Sequence, residues 1–439
     1  MRYSFPWLLL AGLVSPSTAS GQDTVASTIE QLVGSARAPW SHWPDFVPHI
    51  DAVGRLYAGS PRTTVWVRGG HLTAPTQVAI GALLAAGDHG LNPRDYDAEL
   101  LADIVKRWGR MPLTAADQAR FDVLLSVDLI RLLHDLGSGR LHRELFSSSL
   151  PPPPRPDLGT AVSEALAGDS LSRLIAAVTP RLAQYRNLQR LLARYRQLAR
   201  DMTLPRLAIQ PGRPGEVSPH RPALRRLLAA VGDLASDSVL EEVEEVEGLR
   251  RFQSRHGLSA TGMLDSPTIE ALSTPFERRV RQIELALERL RWLPPVGVRP
   301  FVVVNVPAFQ LFAFDSVGGT GVPALAMKVI VGKALDKRTP VLLEQMRYVE
   351  FRPVWNVPRS ILIEEIMPLL RRDPSYLSRH GMELVAGRDR VIGTMVTPER
   401  LDSLSRGELR VRQRPGGDNP LGATKFVFPN AANVYLHGT

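Results

Sequence analysis

Hydrophobic spacing changes near Pro300 of this 439-residue chain from a helical period to a strand-like one, and that change limits the fold more than any other feature. Before it, apolar residues recur every three or four positions. Phe121, Leu124, Leu125, Leu129, Leu132, Leu133 and Leu136 predict one clean helix, with Gly137 as its expected left-handed stop. A second helix is expected from Arg181 to Arg200, with Leu182, Tyr185, Leu188, Leu192, Tyr195 and Leu198 or Ala199 inward and arginines outward. After Pro300 come strand segments at Phe301 to Val306, Gln310 to Phe314 and Ala324 to Val331, the last following a turn at Gly318 and Gly319. A helical insertion, about Ile361 to Leu370, precedes further strands at Leu409 to Arg412, Lys425 to Phe428 and Val434 to His437.

Prolines divide the helical part. Pro151 to Pro154 cannot continue a helix and read as an extended spacer. A linker carrying Pro205, Pro211, Pro214, Pro219 and Pro222 opens a compact unit. There Val243, Val246, Leu249 and Phe252 predict a helix ending at Gly257, and Ser266 with Pro267 are expected to cap the next, which carries Ile269 and Leu272. The acidic run Glu241 to Glu247 reads as the wet face of the first of these helices. Another amphipathic helix, about Glu277 to Trp292, leads to Pro294 and Pro295. The fold class is therefore α+β, in several domains.

Composition then narrows the function. With 44% hydrophobic and 22% charged residues the chain can bury real cores. The net charge of +9 would suit a nucleic acid, an anionic surface or a carboxylate-bearing polymer, but the arginines are scattered beside acids and read as solvated faces. Only five of the 53 basic residues are lysine: Lys106, Lys328, Lys333, Lys337 and Lys425. Arg2, the apolar run Phe5 to Val14 and the small residues Ser15 to Gly21 read as a secretory signal over residues 1–20, cut near Ser20. The expected location is the periplasm or cell envelope. No stretch approaches the roughly 20 apolar residues of a membrane span, so no integral membrane segment is expected once the signal is cleaved. The export signal and the lack of a recognition motif speak against a nucleic-acid partner. The complete absence of cysteine excludes disulfides and thiolate metal sites within these residues. There is no His-Glu-x-x-His and no paired histidine spacing, so neither a metal nor a cofactor is expected.

Several short words then carry a resemblance. Leu249-Arg250-Arg251-Phe252-Gln253, His256-Gly257-Leu258, Thr261-Gly262, Thr268 and Leu272 look like the small three-helix peptidoglycan-binding module. Arg291-Trp292-Leu293-Pro294, Val304-Asn305-Val306-Pro307, Met327 to Gly332, Trp355-Asn356-Val357-Pro358, Lys425 to Asn430 and Tyr435-Leu436-His437-Gly438-Thr439 resemble the large murein L,D-transpeptidases, the YcbB-like subfamily with a YkuD-type catalytic domain. His89-Gly90-Leu91-Asn92 and His134-Asp135-Leu136 with Gly139-Arg140-Leu141 resemble the scaffold domain of the same subfamily. The implied organisation is a signal peptide at 1–20, a helical scaffold at 21–205, a peptidoglycan-binding domain at 218–275, a linker helix at 276–299 and a β-rich catalytic domain at 300–439, with a capping insertion at about 357–408.

The resemblance implies cross-linking of peptidoglycan stem peptides. A cysteine thiolate attacks an L,D peptide bond of a donor stem, and the acyl group passes to the amine of a neighbouring stem, joining two diaminopimelate residues. By motif position His437 is the implied base, and the carbonyl of Gly438 orients it. Alternation would place Tyr435 and His437 on one face and Val434 and Leu436 on the other. Tyr435, Trp355, Asn356 and Arg359 are the implied substrate contacts. The other His-Gly pairs, at residues 89, 256 and 380, follow helical patterns and read as helix stops. The family's nucleophile belongs to a Ser-His-Gly-Cys-Arg motif that these residues do not contain, so the catalytic domain is expected to be incomplete and inactive as it stands. No Gly-x-Ser-x-Gly or Ser-x-x-Lys offers a serine instead. The alternative is a non-catalytic peptidoglycan-binding or scaffolding envelope protein.

Overall fold

The computed structural model describes residues 21–58, 63–141, 157–205, 221–235, 242–293, 300–315, 321–333 and 338–438. The signal segment, Pro151 to Pro154, Pro211, Pro214, Pro219, Pro294, Pro295, Gly318, Gly319 and Thr439 lie outside the described residues. The architecture is α+β, and the chain divides into two compact units, Met1–Ile330 and Val331–Thr439.

The first unit begins with α1 (Gly21–Ser35), α2 (Ile50–Leu56), a short hairpin of β1 (Val67–Arg68) and β2 (His71–Leu72), α3 (Ala74–Leu84) and α4 (Ala98–Trp108). There follow α5 (Ala115–Ser138), α6 (Leu158–Ala167) and α7 (Leu171–Val178). Helix α5 is the clean helix of the sequence, and it touches α1, α2, α3, α4, α6, α7 and a later helix, Phe276–Arg291. A helix packed on all sides must be apolar on all sides: Phe121, Val123, Leu124, Leu125, Val127, Leu129 and Ile130 are all buried. Its polar residues then need partners. Asp122 accepts from the Tyr57 hydroxyl at 2.7 Å and from the amides of Val65 and Trp66 at 2.8 and 2.7 Å. Burial still pushes its carboxyl up to about 6. Gly139, at φ +79°, stops the helix in place of the expected Gly137, which stays within it.

Helix α8 (Ala183–Arg200) packs along α12 (Phe276–Arg291) through Leu182, Tyr185, Leu192, Tyr195, Ile283 and Leu287. Between them in sequence lie α9 (Arg221–Val231), α10 (Glu242–Arg255) and α11 (Ser266–Leu272), closed around Leu224, Leu227, Leu228, Leu249, Phe252 and Leu272. Pro222, read as linker, sits in the first turn of α9, where its missing amide hydrogen costs nothing. Val243 is exposed instead of inward, and the cap of α11 is Asp265, which accepts from the Thr268 amide at 2.9 Å. The buried Gln253 donates to Met263 O and to the hydroxyls of Thr261 and Thr268, and accepts from the Gly262 amide at 2.8 Å. Gln253 and Thr268 therefore tie the small unit together from within.

Strands β3 (Phe301–Asn305), β4 (Gln310–Phe314) and β5 (Leu325–Lys328) form an antiparallel sheet in that order, with Phe301 opposite Phe314 and their rings stacked at 4.9 Å. In the second unit β6 (Tyr348–Phe351) precedes β7 (Trp355–Asn356). Helix α13 (Arg359–Ile361) continues through a π-helical stretch, Leu362–Ile366, into α14 (Met367–Arg372), and α15 (Tyr376–Arg379) follows. Next come β8 (Met382–Ala386), β9 (Arg390–Gly393), α16 (Pro398–Arg406), β10 (Leu409–Gln413), β11 (Thr424–Val427) and β12 (Leu436–His437). The helical insertion thus carries strands of its own. Its sheet runs β7-β10-β8-β9, and Leu384, Val411 and Leu409 turn one face onto Leu362, Ile366, Leu370 and Leu404. The remaining sheet runs β12-β11-β6.

Candidate active site

The β11–β12 connection is built by one side chain. Asn430 accepts from the amides of Ala432 and Val434 at 3.1 Å and donates to Phe428 O and Val434 O at 2.7 Å, closing the turn from within. Asn433 sits in the left-handed region at φ +53° to complete it. The chain then pairs antiparallel to β11, with Phe426 opposite Leu436 and Lys425 opposite His437, and the Gly438 amide donates to Thr424 O at 3.2 Å.

This register gathers four groups. The rings of Tyr435 and His437 have centroids 5.6 Å apart, as expected for alternate residues on one face. Lys425 Nζ stands 4.0 Å over the Tyr435 ring, a cation–π contact. Partial burial raises the Tyr435 hydroxyl above its ordinary range, so the group stays neutral at physiological pH. His437 itself is exposed, with Nδ1 2.6 Å from Gly438 O. A carbonyl can only accept, so Nδ1 carries the hydrogen in this contact, and in the uncharged ring Nε2 is the acceptor. A second glycine makes room for that carbonyl: at Gly422, φ +62°, a Cβ would lie 2.9 Å from both Cα and C of Gly438.

Trp355, Asn356 and Arg359 lie in the other sheet of this unit and at the start of α13. Trp355 is half-buried against the core of that sheet, whereas Asn356 is exposed on β7 opposite Arg412. The Arg359 guanidinium donates to Ser405 O at 2.6 Å, so it caps the end of α16. No hydrogen bond, ion pair or ring contact among the described residues joins these three to Tyr435, His437 or Gly438. The structure therefore brings together one half of the expected site residues and leaves the other half as a separate group. Lys425 was missed as a site residue, since a lone strand cation gives no signal until the register is known.

Three further words of the resemblance meet inside the first unit. Arg291, 1% exposed, donates to Glu288 at 2.7 Å, to the Tyr185 hydroxyl at 3.2 Å and to His89 O. Glu288 also accepts from the amides of Arg140 and Leu141 at 2.6 and 2.7 Å and from the Trp292 indole at 3.1 Å. A Cβ on Gly139 would lie 2.6 Å from that indole. His89-Gly90, Gly139-Arg140-Leu141 and Arg291-Trp292 are thus one structural junction. Gly90, Gly257 and Gly381, all at positive φ, occupy the positions expected of helix stops.

Among the described residues no group of three or more His, Cys, Asp or Glu could hold a metal ion, and no helix is long and apolar enough to cross a membrane. Residues 299–439 match the L,D-transpeptidase catalytic domain (YkuD) family, and residues 51–192 match the scaffold domain family. A protein of Haemophilus influenzae (strain ATCC 51907 / DSM 11121 / KW20 / Rd) named "Putative L,D-transpeptidase" is 28% identical over 212 residues. That alignment spans 46% of this chain and 41% of the relative's own length.

Proposed function

We propose that this chain, which carries a scaffold-domain segment followed by an L,D-transpeptidase catalytic-domain segment, acts in the cell envelope on the stem peptides of peptidoglycan. The reaction is acyl transfer through a cysteine. His437 Nε2 takes the thiol proton, the thiolate attacks the carbonyl of the donor's L,D bond, and the departing amine leaves with a proton. The amine of a second stem then attacks the thioester, expels the thiolate and forms a cross-link between diaminopimelate residues. The observation that carries this reading is the contact of His437 Nδ1 with Gly438 O at 2.6 Å on an exposed ring, which frees Nε2 for the proton. The nucleophile is not among the 439 residues, which contain no cysteine. Of the groups that exchange protons and electrons these residues therefore supply the base and the carbonyl that orients it, and the three-helix unit around Gln253 is assigned to holding the polymer.

Absence of a thiol also favours a second reading, a wall-binding or scaffolding protein without catalysis. Mixing the 439-residue protein with disaccharide tetrapeptides separates these. The transpeptidase reading expects the stem to bind beside His437, seen as shifts of its ring resonances, with no cross-linked product. The scaffolding reading expects peptidoglycan to bind while those resonances stay still. Cross-linked product from this chain would overturn the cysteine mechanism.

A further inference from the structure

We infer that Lys425 is a specificity residue of the site just proposed, and that it receives a carboxylate of the bound stem peptide beside His437. The inference rests on that functional reading and adds the chemistry of recognition to it. Lys425 and His437 are directly opposed across the β11–β12 ladder, and directly opposed residues of an antiparallel pair project from the same face. Anything within reach of His437 Nε2 is therefore within reach of the lysine's flexible stem. Lys425 is half-buried, and its position is set by the Tyr435 ring 4.0 Å away.

The cation is also unclaimed by an acid. Its register partner on β6 is Glu350, yet no ion pair joins the two, and no carboxylate of the described residues lies within salt-bridge distance of the ammonium. By contrast Arg412, directly opposed to Glu383 across β10 and β8, pairs with it at 2.6 Å. An ammonium held over an aromatic ring retains hydrogens for a further acceptor. The chain also departs here from its own habit, since only five of its 53 basic residues are lysine. A compact point charge on a flexible stem can follow one carboxylate oxygen into a narrow space where a planar guanidinium needs a two-point partner. Stem peptides present such carboxylates next to the L,D bond.

The test is calorimetric binding to the whole protein of a disaccharide tetrapeptide and of the same ligand with its diaminopimelate carboxylate amidated. The native protein is expected to hold the free acid about 3- to 10-fold more tightly, the range of a partly desolvated charge-assisted hydrogen bond. Lys425→Met is expected to bind both forms alike, and Lys425→Arg to keep part of the preference. Equal binding of the two forms by the native protein overturns the inference alone, and so does a preference that survives in Lys425→Met. Failure of the native protein to bind either form overturns both the site reading and this inference. The native comparison needs no substitution, so it stands even where a variant folds poorly.

Discussion

The helical scaffold and the strand-rich part of this chain solve the burial problem in opposite ways. In the scaffold, α5 is contacted by seven other helices, and residues such as Ile29, Val53, Leu83, Leu124 and Leu129 are fully buried. The two three-stranded sheets leave apolar side chains in the open: Val302 and Val303 on β3, Leu325 and Met327 on β5, and Tyr348, Val349 and Phe351 on β6, the last 76% exposed. Helices bury a stripe against any neighbour, whereas a sheet of three short strands has two faces to cover and little chain with which to cover them. Strength therefore resides where the chain closes on itself, and the candidate chemistry lies where it does not.

The sharpest way to break that contrast is to remove the charge at the centre of the helical junction. Arg291→Met leaves the buried Glu288 carboxylate without its counter-charge, held only by the Arg140 and Leu141 amides and the Trp292 indole, and should cost about 3 kcal/mol in denaturant unfolding. The analogous Arg412→Met on β10, whose partner Glu383 is closer to solvent, should cost about 1 kcal/mol or less. Equal losses would show that the two regions are equally dependent on such pairs.

Next in size is Gly422→Ala. It puts a Cβ against the Gly438 backbone at a positive φ and should destabilise the second unit by about 1–3 kcal/mol while displacing the carbonyl that holds His437. Unfolding and histidine ring spectra measured together would separate the two effects. Limited proteolysis addresses the contrast itself. Cleavage within residues 338–351 should be at least about tenfold faster than within α5, since fewer buried contacts oppose local opening.

The smallest effect is with pH. Burial holds His49 and His89 at about 4, below the ordinary 6.5, so the unfolded chain binds more protons than the folded one between those values. Their contribution is complete above 6.5 and is lost as pH falls towards 4. Asp122, held up to about 6, has the opposite sign: its folded form binds more protons between 3.8 and 6, so its contribution falls as pH rises through that window. His89→Gln should remove about 1 kcal/mol of the loss seen between pH 7 and pH 5, read as a flatter dependence of Tm on pH.

How much of this the sequence showed follows from the range of the interactions. Helices α5, α8 and α12 were legible because their apolar spacing is local. The stop at Gly139 was not, because that glycine is required by the Trp292 indole, far along the chain. Asp265 took the capping role expected of Ser266 because any short acceptor serves there and the choice of turn decides which. Strands β8 and β9 were hidden inside an insertion whose helical stretch dominated the pattern. At the site, His437 and Gly438 could be named from their word alone, whereas Lys425 required the register of β11 against β12.

The measurement closest to the central claim is the nitrogen-15 spectrum of the His437 ring in the free protein at neutral pH. The account predicts that the uncharged form of the ring carries its hydrogen on Nδ1 and an acceptor at Nε2. A neutral ring whose hydrogen resides on Nε2 would leave that nitrogen without the lone pair that takes the thiol proton, and would contradict the account.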